Sequence, residues 1–397
     1  MSHLSSSIRA ISRTATIVLV VAIVVIAAAA GAFYYTMTPT TSTTSATSTM
    51  SEISAMNQTN MAPLSKSSVT LTLPWLAAGY NAPFYVALDQ GFFKAQGLDV
   101  TISEGTGSGV AIRAVAAGTF DFGEADLPTT LLAISKGVDV VSIAAIDQNT
   151  GLSAIALQSK HNLTSPSDLS GLTWGYHAGG AGPTAFQAFL TANHISASSI
   201  KGNTSIGYPE EAFVMSGSVD FITEFVDYEA VNIIDKGYAV SLLPFTHYGV
   251  SEYGFGILTN SAMINDHPDT VRAFLAGAMQ GEIYTIEHPM DAINSLHAHV
   301  ASTNVTLLRD QLASAFAYKL WTSNDTEANG LWWQTSTRWQ AMGEYLQSVL
   351  GSTPINYTTV FTNDFLPSNR TFPTNPEPIT GANVPGIGFN VTVSASG

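Results

Sequence analysis

Cysteine is absent from the 397-residue sequence, and charge is scarce. Without thiols there can be no disulfide, thiolate metal site or cysteine nucleophile. That absence leaves the compartment open, because a chain of this length can build a large core without staples. Charged residues make up 11% of the sequence, well below the usual figure of about 25%. Only 14 are Lys or Arg, and the net charge is −15. No basic stripe or RNA-binding motif is present, so nucleic acid is not expected as a partner. G-x-S-x-G and H-E-x-x-H are missing as well. His297 and His299 stand at i and i+2, which puts their rings on different helix faces and makes a poor metal pair. No catalytic residue, metal ligand or cofactor is therefore expected.

What the sequence has in quantity is apolar surface: 46% of residues are hydrophobic. The length suits two or three domains. Ile17–Tyr35 is an uncharged apolar run long enough to cross a bilayer as a helix. Arg9 and Arg13 precede it, and no acid occurs before Glu52. The positive-inside rule then keeps residues 1–16 in the cytoplasm and sends the rest outside. Ala30-Gly31-Ala32 resembles a cleavage site, so a cleaved signal peptide is the alternative. The run exceeds a typical signal h-region, which favours an uncleaved single-pass anchor over 17–35. Residues 36–68 are rich in Ser, Thr, Met and Asn and read as a flexible stalk. Asn57 opens the first of a set of glycosylation sequons that runs on to Asn390 and fits an exported chain.

From residue 69 a strand–turn–helix plan repeats. Val69, Leu71 and Leu73 alternate with Thr70 and Thr72, the period of a half-buried strand. Pro74 stops the ladder for want of an N–H. Trp75 then falls just past the carboxyl end of a strand, where open α/β sheets place ligands. Pro83 begins a helix and Gly91 ends it. Strand 98–103 leads into the glycine-rich turn Gly105–Gly109 and a helix over 110–117. Phe120–Gly123 predicts a third strand, with Glu124 and Asp126 at its end. The same order returns in 172–245, where the second glycine turn spans His177–Thr184 and strand Val219–Phe225 carries Glu224. Asp266 is expected to cap a helix from Pro268. Strands 152–157 and 253–258 join the two halves. The pattern predicts an α/β fold of two lobes with a double crossover, a cleft between them and hinge closure.

Four stretches carry a resemblance: Ala82–Val100 (APFYVALDQGFFKAQGLDV), Gly105–Asp126 (GTGSGVAIRAVAAGTFDFGEAD), Leu163–Gly180 (LTSPSDLSGLTWGYHAGG) and Tyr357–Pro367 (YTTVFTNDFLP). Together they resemble ABC-transporter solute-binding proteins, in the branch of sulfonate, nitrate and taurine binders that also holds binders of thiamine-pyrimidine precursors and riboflavin. The resemblance covers residues 69–367. It implies a type II periplasmic-binding fold with lobe 1 in 69–153 and 257–350 and lobe 2 in 159–252. It also implies a permease and an ATPase as partners. Residues 351–367 end the resemblance, and the Pro-, Asn- and Gly-rich tail 368–397 is expected to be loosely ordered.

The family's ligands are anionic or heteroaromatic. Between Lys201 and Lys236 the chain has acids and no base. Glu124, Asp126 and Glu224 lie near strand ends, and ionised carboxylates only accept hydrogen bonds. Trp75, Tyr80, Tyr85, Tyr176 and Tyr228 are candidates to stack on a flat ring. Asn81, Gly107, Ser108, Gly180, Thr184 and Tyr253 complete the expected ligand-binding set. A small nitrogen heterocycle, like a thiamine-pyrimidine precursor or riboflavin, is favoured. The alternative is an anion held at the open backbone N–H groups of the glycine turns. Two readings of other classes are a sensor ectodomain and a pyrimidine-synthesis enzyme. The first would need an output domain larger than residues 1–16. The yeast-type synthase branch uses an active-site histidine and a cysteine-rich iron motif. Here cysteine is absent and the loop after Trp75 has no histidine; His177 is expected to be a polar pocket wall.

Overall fold

The computed structural model describes residues 64–350 and 355–396. The expected anchor over 17–35, residues 1–16 and almost all of the stalk lie outside the described residues. Among the described residues no helix is long and apolar enough to cross a membrane.

In chain order the first half comprises β1 (Ser68–Thr72), α1 (Ala82–Asp89), α2 (Phe92–Ala95), β2 (Asp99–Ser103), α3 (Ser108–Ala116), β3 (Phe122–Asp126), α4 (Leu127–Ile134) and β4 (Val141–Ala145). The chain then crosses over and builds β5 (Leu152–Leu157), β6 (Thr173–His177), α5 (Gly182–Ala192), β7 (Gly202–Ile206), α6 (Glu211–Ser216), β8 (Phe221–Phe225), α7 (Glu229–Asp235) and β9 (Val240–Pro244). It crosses back for β10 (Phe255–Thr259), followed by α8 (Ser261–Asp266), α9 (Pro268–Glu287), α10 (Pro289–His299), α11 (Val305–Ala317), α12 (Asn324–Asn329) and α13 (Ser336–Leu350). A hairpin, β11 (Ile379–Val384) and β12 (Gly388–Val393), ends the described chain.

The two sheets have one plan. Lobe 1 is ordered β2-β1-β3-β10-β4 and lobe 2 β7-β6-β8-β5-β9. In each, four of the five strands run in one direction and the fourth in order is antiparallel to both its neighbours. That fourth strand, β10 or β5, is the one that has just crossed from the other lobe. The two crossing segments also bond to each other. Asp147 N–H donates to the Phe255 carbonyl, Gly254 N–H donates to the Asp147 carbonyl, and Thr150 N–H donates to the Glu252 carbonyl. A side chain on Gly254 would put its Cβ 2.7 Å from that of Asp147, so the close pairing requires glycine there.

Several expectations are corrected. Strand β3 starts at Phe122 because the Thr119 and Phe120 N–H groups still close onto the Ala114 carbonyl. Glu124 therefore sits inside the strand and Asp126 forms its last residue. Asp266 ends α8, whose cap is Asn260, and His267 precedes α9 without a side-chain cap. β7, α6 and α7 had no counterpart in the sequence pattern. The tail is not loose: Ile379, Ala382 and Val384 are buried in the lobe 1 core with Leu308 and Leu312. Tyr318 Oη donates to the Pro385 carbonyl at 2.7 Å. The turn beyond it reaches lobe 2, where Gly386 lies against Leu242 of β9.

Lobe 1 and the region beside the crossovers contain buried acids without a cationic partner among the described residues. Glu282 accepts from Trp332 Nε1 at 2.5 Å and Glu124 from Asn81 Nδ2 at 2.8 Å. Asp147 accepts from the Phe255 N–H at 3.2 Å. Burial pushes Glu282 and Glu252 up to about 8 and Asp227 to about 7. Glu124 and Asp147 are raised by burial first and by neighbouring carboxylates second.

Two predictions follow from this packing. Gly281 of α9 rests on α1, and a Cβ there would stand 2.1 Å from the Pro83 carbonyl oxygen. Gly281→Ala should cost about 1–3 kcal/mol in denaturant unfolding; unchanged stability would show that α9 does not pack this closely. The buried acids bind protons more tightly folded than unfolded, so their contribution is full below the unfolded carboxylate range and is lost as pH rises through the folded values. The melting temperature should therefore be higher at pH 5.5 than at pH 8, by roughly 3 °C or more. A scan showing the reverse slope would mean that these acids are ionised in the folded chain.

Candidate ligand-binding site

The site is assembled where both sheets present their strand ends to the crossovers. Trp75 follows β1, and the Pro74 and Trp75 carbonyls accept from Gly107 and Gly105 N–H at 2.6 and 3.1 Å. The first glycine turn is thereby folded back onto the β1 loop. Its partner turn faces it from lobe 2: the Gly179 carbonyl oxygen lies 3.7 and 3.4 Å from where a Cβ on Gly107 or Gly109 would be. Between them is a cavity of ≈ 50 Å³. The two turns share a cavity, but Gly105 and Gly107 have spent their N–H groups on backbone carbonyls. An acceptor rather than a donor comes from the opposite turn. Of the turn at 105–109, the N–H groups of Gly105 and Gly107 are thus committed to the backbone, while those of Ser108 and Gly109 lie in the first turn of α3.

Aromatic rings make one part of the walls. Tyr80 stacks on Phe255 at 6.1 Å, and Phe255 on Phe225 at 4.9 Å. Trp75 is met edge-on by His177 at 5.3 Å and by Tyr208 at 5.2 Å, both from lobe 2. Tyr228, just ahead of α7, adds a further ring to the lining.

The polar wall is acidic. Glu210, Glu224 and Glu229 line the cavity, and among its described lining residues none is Lys or Arg. Glu229 Oε2 accepts from the Phe225 N–H at 3.1 Å. Glu224 Oε1, Glu210 Oε2 and the Trp75 indole N–H are buried without a hydrogen-bond partner among the described residues. Burial, then the charge of Glu210, raises Glu224 well above the carboxylate range, while the His177 backbone amide holds it partly down. Burial and the charges of Glu224 and Glu210 raise Glu229 in the same way. Glu210 is pushed up to about 7, by burial first. Buried polar atoms are nearly always paired in folded proteins, so this cavity presents two free acceptors and one free donor to whatever enters.

Of the expected residues, Trp75, Tyr80, Gly107, Ser108, Gly180, Glu224 and Tyr228 line the cavity. Asn81 and Glu124 bond each other in the core. Asp126 caps α4 by accepting from Thr129 N–H at 2.8 Å. Tyr85 lines a neighbouring chamber. Tyr176 packs on Trp174 at 4.7 Å, and the Thr184 carbonyl accepts from Tyr345 Oη at 3.4 Å. Tyr253 is fully buried, with Arg338 3.8 Å above its ring. His177 takes the place expected of it as a polar wall. Glu210 and Phe255 were missed. Glu210 stands ahead of a helix that the periodicity did not show. Phe255 was legible, because the crossover strand had to enter the sheet beside the cleft.

The fold recurs in the periplasmic nitrate-binding protein NrtA from Synechocystis PCC 6803, with a TM-score of 0.62, 11% identity, and coverage of 84% of this chain and 97% of that one. Among curated relatives, the formylaminopyrimidine-binding protein of Halalkalibacterium halodurans is 26% identical over 257 residues, 64% of this chain and 77% of the relative. The riboflavin-binding protein RibY of Chloroflexus aurantiacus is 26% identical over 308 residues, 75% of this chain and 86% of its own. A 4-amino-5-hydroxymethyl-2-methylpyrimidine phosphate synthase of Legionella pneumophila is 24% identical, over 76% of this chain and 93% of that protein. The NMT1/THI5-like family profile matches residues 78–292. That match takes in more than half of a two-lobed chain whose crossovers, cleft and glycine turns have just been described, and the chain belongs to the NMT1/THI5-like family.

Proposed function

We propose that this chain is the extracytoplasmic solute-binding component of an ABC importer, and that its solute is a small nitrogen heterocycle. The observation that carries the ligand class is the pairing of free buried carboxylate oxygens with aromatic walls and no lining cation. An amino-bearing ring offers N–H donors to Glu224 and Glu210, a ring nitrogen or carbonyl to the Trp75 N–H, and a flat face to Tyr80 and Phe255. A sulfonate or nitrate would meet a carboxyl-lined wall with no Lys or Arg among the described lining residues. Heterocycle binding is also what the names of two relatives report for those proteins. The present cavity is smaller than the usual small-molecule site of about 300 Å³ or more, so the lobes part to admit the ring and close on it.

Capture without chemistry is the reading for the reaction. The chain has no cysteine, and His177, the one cavity-lining histidine among the described residues, stands edge-on to Trp75. Delivery then requires a permease and an ATPase in the membrane. The apolar run 17–35 would tether the lobes outside it.

Calorimetry on the full-length chain should detect 4-amino-5-hydroxymethyl-2-methylpyrimidine or riboflavin and give no heat with taurine. Glu224→Gln keeps the shape and replaces one acceptor oxygen with a donor. It removes a charge-assisted bond of roughly 1.5–3 kcal/mol, so affinity should fall about 10- to 150-fold. Unchanged affinity would take Glu224 out of the site, and tight taurine binding with no heterocycle response would overturn the ligand class. Mass spectrometry after prolonged incubation should return the bound heterocycle unaltered; a new product would make the chain an enzyme.

A further inference from the structure

The sequons that run from Asn57 to Asn390 play no part in the binding site. Composition alone does not account for their number. With 20 asparagines and 43 threonines in 397 residues, about two asparagines should stand two places before a threonine; seven do, none with proline between. Asn203, two places before Ser205, adds one more. Folding then sorts these asparagines from the rest. All seven that fall among the described residues are exposed. Of the eleven other described asparagines only four are exposed, and Asn81, Asn232 and Asn260 are buried. No sequon asparagine lines the aromatic cavity among the described residues.

The structure also separates the sequons from one another. In six of the seven the hydroxyl residue two places on is exposed as well. Asn324 is the exception: its Thr326 is buried, and the Thr326 hydroxyl donates to the Ser323 carbonyl at 2.9 Å in the cap of α12. At Asn304 and Asn356 the side-chain carbonyl accepts from the backbone N–H of Thr306 at 2.8 Å and of Thr358 at 3.1 Å. Those bonds use Oδ1 and not the amide nitrogen, which is the atom a sugar is joined to. A sugar coat would also serve this surface. Glycans are bulky and solubilising, charged residues are only 11% of the chain, and Asn390 adjoins Phe389, which is 68% exposed.

We infer that the folded chain is an N-glycoprotein, with sugar on Asn162, Asn203, Asn304, Asn356, Asn369 and Asn390 and none on Asn324. This rests on the extracytoplasmic reading above. The co-reactant is an oligosaccharide whose anomeric carbon is linked to a lipid phosphate, presented by a transferase outside the cytoplasm. The asparagine Nδ2 forms a bond to that carbon. The bond from the carbon to the phosphate oxygen breaks, its electron pair leaves with the lipid phosphate, and the nitrogen releases one proton. Nothing is oxidised or reduced.

The test is peptide mass spectrometry on the full-length chain isolated from the cells that make it, run beside protease treatment of spheroplasts of those cells. The expected result is added sugar mass on at least three of the six asparagines, with Asn324 bare. Removing the hydroxyl behind a modified asparagine, by Thr306→Ala for Asn304 or Thr358→Ala for Asn356, should abolish its sugar, and serine at the same position should restore it. Both threonines are exposed, so the variants test recognition and not folding. Sugar on fewer than three of the six, sugar on Asn324, or sugar that survives loss of the hydroxyl would each overturn the inference. If the protease then digests the chain on spheroplasts, the extracytoplasmic reading stands without it. Bare asparagines in a chain that the protease cannot reach overturn both.

Discussion

The constraint on which this structure depends is the pairing of its two crossing segments. Residues 147–150 and 252–255 run side by side and bond through their backbones. Each passes directly into the antiparallel strand of the sheet it enters. The lobes are therefore joined by a short two-stranded ribbon. Gly254 allows its close approach, and Arg338, over the ring of Tyr253, braces it from one side. Phe255 is both the first residue of β10 and part of the cavity wall. Rotation about the ribbon and reshaping of the pocket are thus the same event, which is how hinge-closing binders couple capture to shape.

Electrostatics give the second theme. Desolvating a carboxylate without a counter-ion is expensive, and burial raises the proton affinity of the acids here. In the core, neighbouring amides and indole N–H groups satisfy part of that need. In the cavity, oxygens of Glu210 and Glu224 are left without partners among the described residues. A ligand that supplies donors relieves a cost the empty site already bears. Selectivity then follows from what each arrival leaves unpaired, not from charge attraction at long range.

Much of the architecture was legible in the sequence because two periods carried it. Alternation in Val69–Leu73 and the short apolar run Leu152–Leu157 marked strands, and glycine-rich turns ahead of helices marked their order. The cavity was half legible: residues adjoining a strand end or turn, such as Trp75, Ser108, Gly180 and Glu224, do line it. Tyr176, Thr184 and Tyr253 share those local positions but face away, since one residue of register decides which side of a sheet a side chain meets. Glu210 depended on a one-and-a-half-turn helix, too short to show a period. The tail misled for a different reason. Its strands hold Ile379, Ala382 and Val384 among Gly, Asn and Thr, and only the core of α11 makes those few apolar residues worth ordering.

That terminal hairpin has a mechanical meaning for the lobes. It is rooted in one interior, while Gly386 at its bend touches Leu242 on β9, the outermost strand of the other sheet. A bare sheet margin of this sort invites pairing with foreign chains, and here the bend shields part of it. The same tie spans the molecule on a route separate from the crossover ribbon. Wide gaping of the two halves must drag or peel the bend from Leu242, so the chain has its own tether against overextension.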